Sequence, residues 1–234
     1  LAKRLFFGNI VHSVLENVVS KDKPLDFSEI KSEYEKHKGS YDPDQKISKD
    51  LISVGEVILN EFYDENPGAT FDVFDKEYEF RFVIGNYLII GYIDRIDLYE
   101  DEVVIIDYKT GKWEVSQKDL PNNLQLGIYA LATSLAFPDK KITAELYYLR
   151  SGRHKRHTFS PEDLENVKLN IINSIQKIIN DTSFSPTSNG RICSYCEHAK
   201  TGACPTRGIQ KQEDCKGIKE KPRCFHRGIL YSYK

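Results

Sequence analysis

Apolar positions in the first part of the chain recur at helical spacing. Leu5, Ile10, Val11, Val14, Leu15 and Val18 form a broad stripe and predict a helix over 4–19. The next stretch, 21–43, is polar, with a short helical piece over 27–37. Ile47, Leu51, Val54, Ile58 and Phe62 predict a long helix over 45–64, ended by Asn66-Pro67-Gly68. The pattern then switches to period two. Segments 71–83, 87–99 and 102–109 are rich in Ile, Val, Tyr and Phe and predict a three-stranded antiparallel meander, turning at Gly85-Asn86 and Glu100-Asp101. A strongly apolar helix is expected over 122–137, behind Pro121. A hairpin is expected from 142–150 and 153–159 with Ser151-Gly152 at its turn. A last helix is expected from Ser160-Pro161 to about Asn180. Residues 184–190 read as a Ser/Pro/Gly linker. The expectation is an α/β fold, a small mixed β-sheet flanked by helices, over residues 1–189, with a Cys-rich subregion over 190–234 packed on it.

Composition narrows the class. The chain has 234 residues, 40% apolar and 29% charged, and a mean hydropathy of -0.49. These values exclude a disordered or collagen-like chain. No apolar run approaches the length of a membrane span, and the N-terminus lacks a signal-peptide pattern, so a cytoplasmic location and no membrane partner are expected. The chain holds no Met, even at its start, which suggests a fragment. Net charge is -2, so overall basicity does not point to nucleic acid. The charge is nevertheless uneven: residues 190–234 carry ten Lys/Arg against four Asp/Glu. That basic tail suits either a polyanion contact or plain solvation.

The candidate chemistry lies in the meander. If the second turn centres between Glu100 and Asp101, paired residue numbers sum to 201 and Asp94 stands opposite Asp107. Lys109, two residues on, shares the face of Asp107. Two carboxylates opposed among Ile and Tyr side chains repel. A divalent cation held by both offsets the repulsion, and oxygen ligands suit Mg²⁺ or Mn²⁺. Val103-Val104-Ile105-Ile106 reads as a strand buried on both faces, so an acid at its end needs a partner. Arg95, Asp97, Glu100 and Asp101 read as ordinary surface charges. Arg150, Arg153, Lys155 and Arg156, near the later hairpin's tip, suit phosphate contacts or solubility.

All five Cys fall in the tail, at 193, 196, 204, 215 and 224. Such clustering favours metal ligation over disulfides, and Cys193-x2-Cys196-x7-Cys204 can set three thiolates round one centre.

Asp94 followed by Asp107-Tyr108-Lys109 resembles the signature of the PD-(D/E)XK nuclease superfamily, and specifically its RecB-like branch. Gly8-x-x-x-His12, the segment Gly91-Tyr92-Ile93-Asp94-Arg95-Ile96-Asp97, and Gln125-x-x-x-Tyr129 match that branch in order. The resemblance implies a restriction-endonuclease-like core and a metal-dependent deoxyribonuclease, an exonuclease acting on single strands or duplex ends in DNA repair or recombination. Asp94, Asp107, His12 and the main-chain carbonyl of Tyr108 would hold Mg²⁺ or Mn²⁺. Lys109 would position water and stabilise the transition state, and Gln125 and Tyr129 would line the site. An acid on the preceding strand, Glu77 or Glu79, is common in the branch, and here each reads as surface charge. Some members bind a [4Fe-4S] cluster, with one ligand upstream of the Gly-x-x-x-His helix and three near the C-terminus. Here Cys193, Cys196 and Cys204, with Cys215 or Cys224 as the fourth, suit such a cluster or Zn²⁺, and His198 or His226 can substitute. Expected partners are DNA and a helicase or recombination protein. The alternative is a non-catalytic DNA-binding or scaffolding module of a recombination or CRISPR-adaptation complex.

Overall fold

The computed structural model of the protein describes residues 2–41, 49–183, 185–187, 193 and 196–204. Three helices come first: α1 (Ala2–Val18), α2 (Phe27–Tyr41) and α3 (Lys49–Glu65). The strands β1 (Val73–Ile84), β2 (Tyr87–Leu98) and β3 (Glu102–Lys109) follow. A 3₁₀ turn over Gln117–Asn122 leads into α4 (Leu124–Ala136), then β4 (Lys141–Tyr148), β5 (Arg153–Phe159) and α5 (Pro161–Asn180). A short α6 (Glu197–Lys200) lies among the cysteines. The chain divides into two compact units, one over Ala2–Ser174 and one beginning at Ile175.

The five strands form one mixed sheet in the order β1-β2-β3-β4-β5. The pairs β1–β2, β2–β3 and β4–β5 are antiparallel, and β3–β4 is parallel. The parallel pair requires a crossover, which the 3₁₀ turn and α4 supply. The β2–β3 register pairs Arg95 with Ile106 and Leu98 with Val103, the expected sum of 201.

Capping explains where several helices begin. The Asp26 carboxylate accepts the N–H of Ser28 and of Glu29 ahead of α2, and Asn123 accepts the N–H of Leu126 to start α4. Ser160 and Asp163 bond reciprocally at the head of α5. The apolar stripe of α1 is buried as its spacing predicts at Ile10, Val11, Val14, Leu15 and Val18, with the Leu5 side chain outside what the structure describes; these and Phe7 pack with Ile58 and Phe62 of α3 against Val104, Ile106, Tyr108 and Tyr147. Beside α4, Gly127 leaves room for the Val167 side chain of α5; an added Cβ would overlap it. Residues Val103–Tyr108 are buried throughout, as a strand with both faces covered should be.

Candidate active site

β2 and β3 bring the two acids to neighbouring positions. One rung beyond the last ladder pair, Arg95 with Ile106, the same register sets Asp94 against Asp107. The Asp94 side chain takes over where the ladder ends: its Oδ2 accepts the main-chain N–H of Tyr108 at 2.8 Å. Asp107 is only 2% exposed. Lys109 Nζ lies 2.5 Å from Asp107 Oδ2, yet that oxygen is buried without a hydrogen bond in good alignment.

Lys109 is held from its other side by α4. Its Nζ donates to Gln125 Oε1 at 2.9 Å, and Gln125 Nε2 donates to the Tyr129 hydroxyl at 2.9 Å. Gln125 and Tyr129 are one turn apart, so one helix face presents both. From α1, His12 Nδ1 approaches Asp94 Oδ2 at 3.4 Å, and its ring meets the Tyr108 ring edge-on. One turn earlier, Gly8 lies against Thr110, where an added Cβ would stand 3.5 Å from the hydroxyl. The structure thus gathers His12, Asp94, Asp107, Tyr108, Lys109, Gln125 and Tyr129.

The electrostatics pull the two acids apart. Burial pushes the Asp107 carboxyl up to about 6, against the Lys109 ammonium and with help from the Asp94 charge. Burial acts the same way on Asp94, but His12, the Tyr108 N–H and Lys109 outweigh it and hold Asp94 below its ordinary range. His12 is the counterpart: burial disfavours its charge, and Asp94 overcomes this and raises it. Burial, then the charges of Asp107 and Asp94, keeps the Tyr129 hydroxyl protonated.

Glu77 separates from Glu79. Glu79 is a surface acid bonded to Arg81 and to the Tyr92 hydroxyl. The β1–β2 register on either side, Lys76 with Arg95 and Tyr78 with Ile93, sets Glu77 on the rung of Asp94. Three acids, Glu77, Asp94 and Asp107, therefore occupy one line across three strands. Glu77 holds a left-handed φ of 49°, which no other non-glycine residue adopts among the described residues, and its charge also bears on Tyr129. A strained backbone beside a cluster of acids is the kind found at functional sites. In sequence it was indistinguishable from Glu79; only the register tells them apart.

Arg95 and Asp97 correct the sequence reading. They are 7% and 3% exposed, not surface charges. Arg95 Nε donates to Asp97 Oδ1 at 2.6 Å, Nη1 donates to the Tyr108 hydroxyl at 3.2 Å, and the guanidinium lies over the Phe71 ring. The pair therefore braces Tyr108 from the side away from Asp94. Glu100 and Asp101 are exposed, as expected. The later basic cluster is engaged internally: Arg153 and Lys155 pair with Glu114, Arg156 with Glu145, and Arg150 with the Thr110 carbonyl.

Among the described residues, no three His, Cys, Asp or Glu side chains form a ready metal cage. Cys193 and Cys196 are half-buried thiols and Cys204 is buried. The Cys196 N–H donates to the Cys193 carbonyl at 3.2 Å, and the Cys204 N–H to the His198 carbonyl at 3.0 Å. Cys215, Cys224 and His226 lie outside the described residues. No described helix is long and apolar enough to cross a membrane.

The family model for the PD-(D/E)XK nuclease superfamily matches residues 1–205. The chain belongs to that superfamily. No curated protein matches the chain. Among solved structures, it is similar to a Eubacterium rectale protein with a provisional exonuclease description, at 12% identity and a TM-score of 0.45, over 85% of this chain and 74% of that one. It is also similar to SSO0001, at 16% identity and a TM-score of 0.40, over 87% of this chain and 96% of that one. The superfamily supplies the context of nucleic-acid hydrolysis and, typically, divalent metal.

Proposed function

We propose that this PD-(D/E)XK chain is a RecB-like, Mg²⁺- or Mn²⁺-dependent deoxyribonuclease that cuts single strands or duplex ends during repair or recombination. The observation that carries the reading is the placement of Lys109 between Asp107 and Gln125, two residues beyond the acid that faces Asp94.

The residues present fit a hard cation. Asp107 Oδ2 is buried beside a positive charge without an aligned donor, and its neighbours are oxygen donors, the preference of Mg²⁺ and Mn²⁺. Mg²⁺ keeps several waters and uses one or two carboxylates with substrate phosphate, so it needs no complete side-chain cage. Asp94, Asp107 and the Tyr108 carbonyl would hold the ion, with His12 and Glu77 adjusting the shell. When bound, it polarises the phosphate and lowers the pKa of water.

The chain's own groups do the rest. Lys109 places an ammonium where negative charge grows on the phosphorus-bound oxygens as water attacks and the bond to the leaving oxygen breaks. Gln125 fixes the Lys109 rotamer, and Tyr129 fixes Gln125. His12 orients Asp94. In the tail, Cys193, Cys196, Cys204 and Cys215 are proposed to bind a [4Fe-4S] cluster, with Zn²⁺ the alternative occupant. Anaerobic metal analysis with a visible spectrum separates these.

The nuclease reading is tested by incubating the purified chain with labelled DNA and Mg²⁺ or Mn²⁺. Cutting is expected, and Asp107→Ala and Lys109→Ala should each abolish it while circular dichroism stays unchanged. Cutting that survives both substitutions overturns the assignment.

A further inference from the structure

The loop that leaves the end of β3 is fastened at both shoulders and open at its crown. On the first shoulder, the Leu149 N–H donates to the Lys109 carbonyl at 3.1 Å, and Arg150 Nε donates to the Thr110 carbonyl at 2.5 Å. On the second, the Val115 N–H donates to the Tyr148 hydroxyl at 2.8 Å, and Lys155 Nζ donates to the Val115 carbonyl at 2.6 Å. Glu114 accepts from Ser151 at 2.8 Å and pairs with Lys155 at 3.0 Å and with Arg153 at 3.3 Å. All of these partners lie on β4, β5 or the turn between them. Gly111, Lys112 and Trp113 form the crown, all exposed.

Trp113 is the chain's single tryptophan and is 83% exposed. An indole is the side chain with most apolar area to gain by burial. Ordering a loop costs conformational entropy. Here many polar contacts fix the loop's backbone, and its largest apolar group still faces water. The contacts hold the stretch of backbone that carries the indole at a defined place.

The loop follows directly on β3, the strand that carries Asp107 and Lys109. Trp113 lies four positions beyond Lys109, and so short a stretch spans at most about 14 Å between Cα atoms when fully extended. That is a span of only a few nucleotides, so a strand with its phosphate at Lys109 can bring a neighbouring base to the indole. Unpaired bases offer open faces, and stacking on an aromatic side chain is tolerant of sequence and strong for its size. Bases inside a duplex are already stacked on one another. Lys112, the preceding residue and exposed, offers a cation for a phosphate.

We propose that Trp113 is a base-stacking residue, the first station of a single-stranded nucleic-acid track that begins at Lys109, with Lys112 on the backbone beside it. The inference rests on the nuclease reading for its substrate and adds the strand's state and its path.

The lone tryptophan makes the test direct. Asp107→Ala of the full chain is titrated with oligo(dT), and indole emission should be quenched to saturation. A strand of equal length and charge made of abasic sites should quench far less. In cleavage of oligo(dT), Trp113→Ala should raise KM about tenfold with kcat little changed, and Trp113→Phe should recover most of the loss. Equal quenching by the abasic strand overturns the proposal. So does a Trp113→Ala KM within twofold of the parent, which would leave the indole for a protein partner. The two readings fail separately. Base-dependent quenching by a protein that cuts nothing under any metal keeps the track and removes the nuclease. Cutting with no quenching and an unmoved KM does the reverse.

Discussion

The Asp94 carboxylate accepts the main-chain N–H of Tyr108 at 2.8 Å, so one acid is bonded to the residue that follows the other. The bond stabilises the end of the β2–β3 ladder and also sets the aim of Asp94. The two roles come apart by substitution. Asp94→Ala should lose cleavage and, by orphaning the Tyr108 N–H, about 1–3 kcal/mol of stability. Asp94→Asn keeps an acceptor oxygen and should lose cleavage with a smaller stability change. Urea denaturation of the two variants beside the parent measures the difference.

Asp107 titrates higher in the folded chain than in the unfolded one, from 3.8 to about 6. The folded state therefore binds that proton more tightly, and ionising Asp107 costs stability. In metal-free protein the cost is absent below the lower value, grows as pH rises between the two, and is complete above the upper. Asp107→Asn cannot ionise. Its stability advantage over the parent should widen through that window in chelator and stay level above it. Adding Mg²⁺ at neutral pH should stabilise the parent and not the variant. Thermal melts across pH, with and without metal, check both arms. A gap that does not vary with pH would remove burial as the cause.

Gly91 stands opposite Phe80 in the β1–β2 register, and a Cβ there would come within 3.0 Å of the Phe80 ring. Phe80 packs edge-on to Tyr129, which receives the Gln125 hydrogen bond. Gly91→Ala should therefore cost about 1–3 kcal/mol through overpacking and lower kcat through Lys109. Adding Phe80→Leu should restore much of the stability, read as a non-additive double-mutant cycle.

Arg95 and Asp97 form a buried ion pair, and removing one partner leaves an uncompensated charge. Asp97→Ala should destabilise by about 3–5 kcal/mol. Replacing both residues with Leu should recover most of that stability, while leaving the Tyr108 hydroxyl without its donor. Guanidinium melts of the single and double variants give the comparison.

Much of this was legible in the chain. Period-two segments and the even turn at Glu100-Asp101 were enough to place Asp94 against Asp107, because only an odd loop would slip the pairing by one residue. The family resemblance picked out Gln125 and Tyr129, and helical spacing agreed in setting them on one face. The misses share a cause. Arg95 and Asp97 look like exposed charges because alternation cannot see that one strand end is roofed by Phe62 and Phe71, whereas the buried pair lines a polar cavity of about 330 Å³ there. Glu77 required a register across β1 and β2 together with a backbone angle, and neither is written in local composition. The basic residues near the β4–β5 turn were read toward solvent or phosphate because Glu114, distant in sequence, is what engages Arg153 and Lys155.

The parallel pairing of β3 with β4 obliges the chain to travel from one to the other by a long detour, and that detour holds the indole, Gln125 and Tyr129. Asp94 and His12 arrive from strands and helices that precede it. On the proposed reading the strand contact falls within residues 110–124, while Asp94, Asp107 and Lys109 lie outside that stretch and Gln125 and Tyr129, just after it, hold Lys109. Exchanging residues 110–124 between relatives should transplant the preference for a given end or strand while leaving the acid pair undisturbed, so diversification within this architecture can proceed by trading one insert.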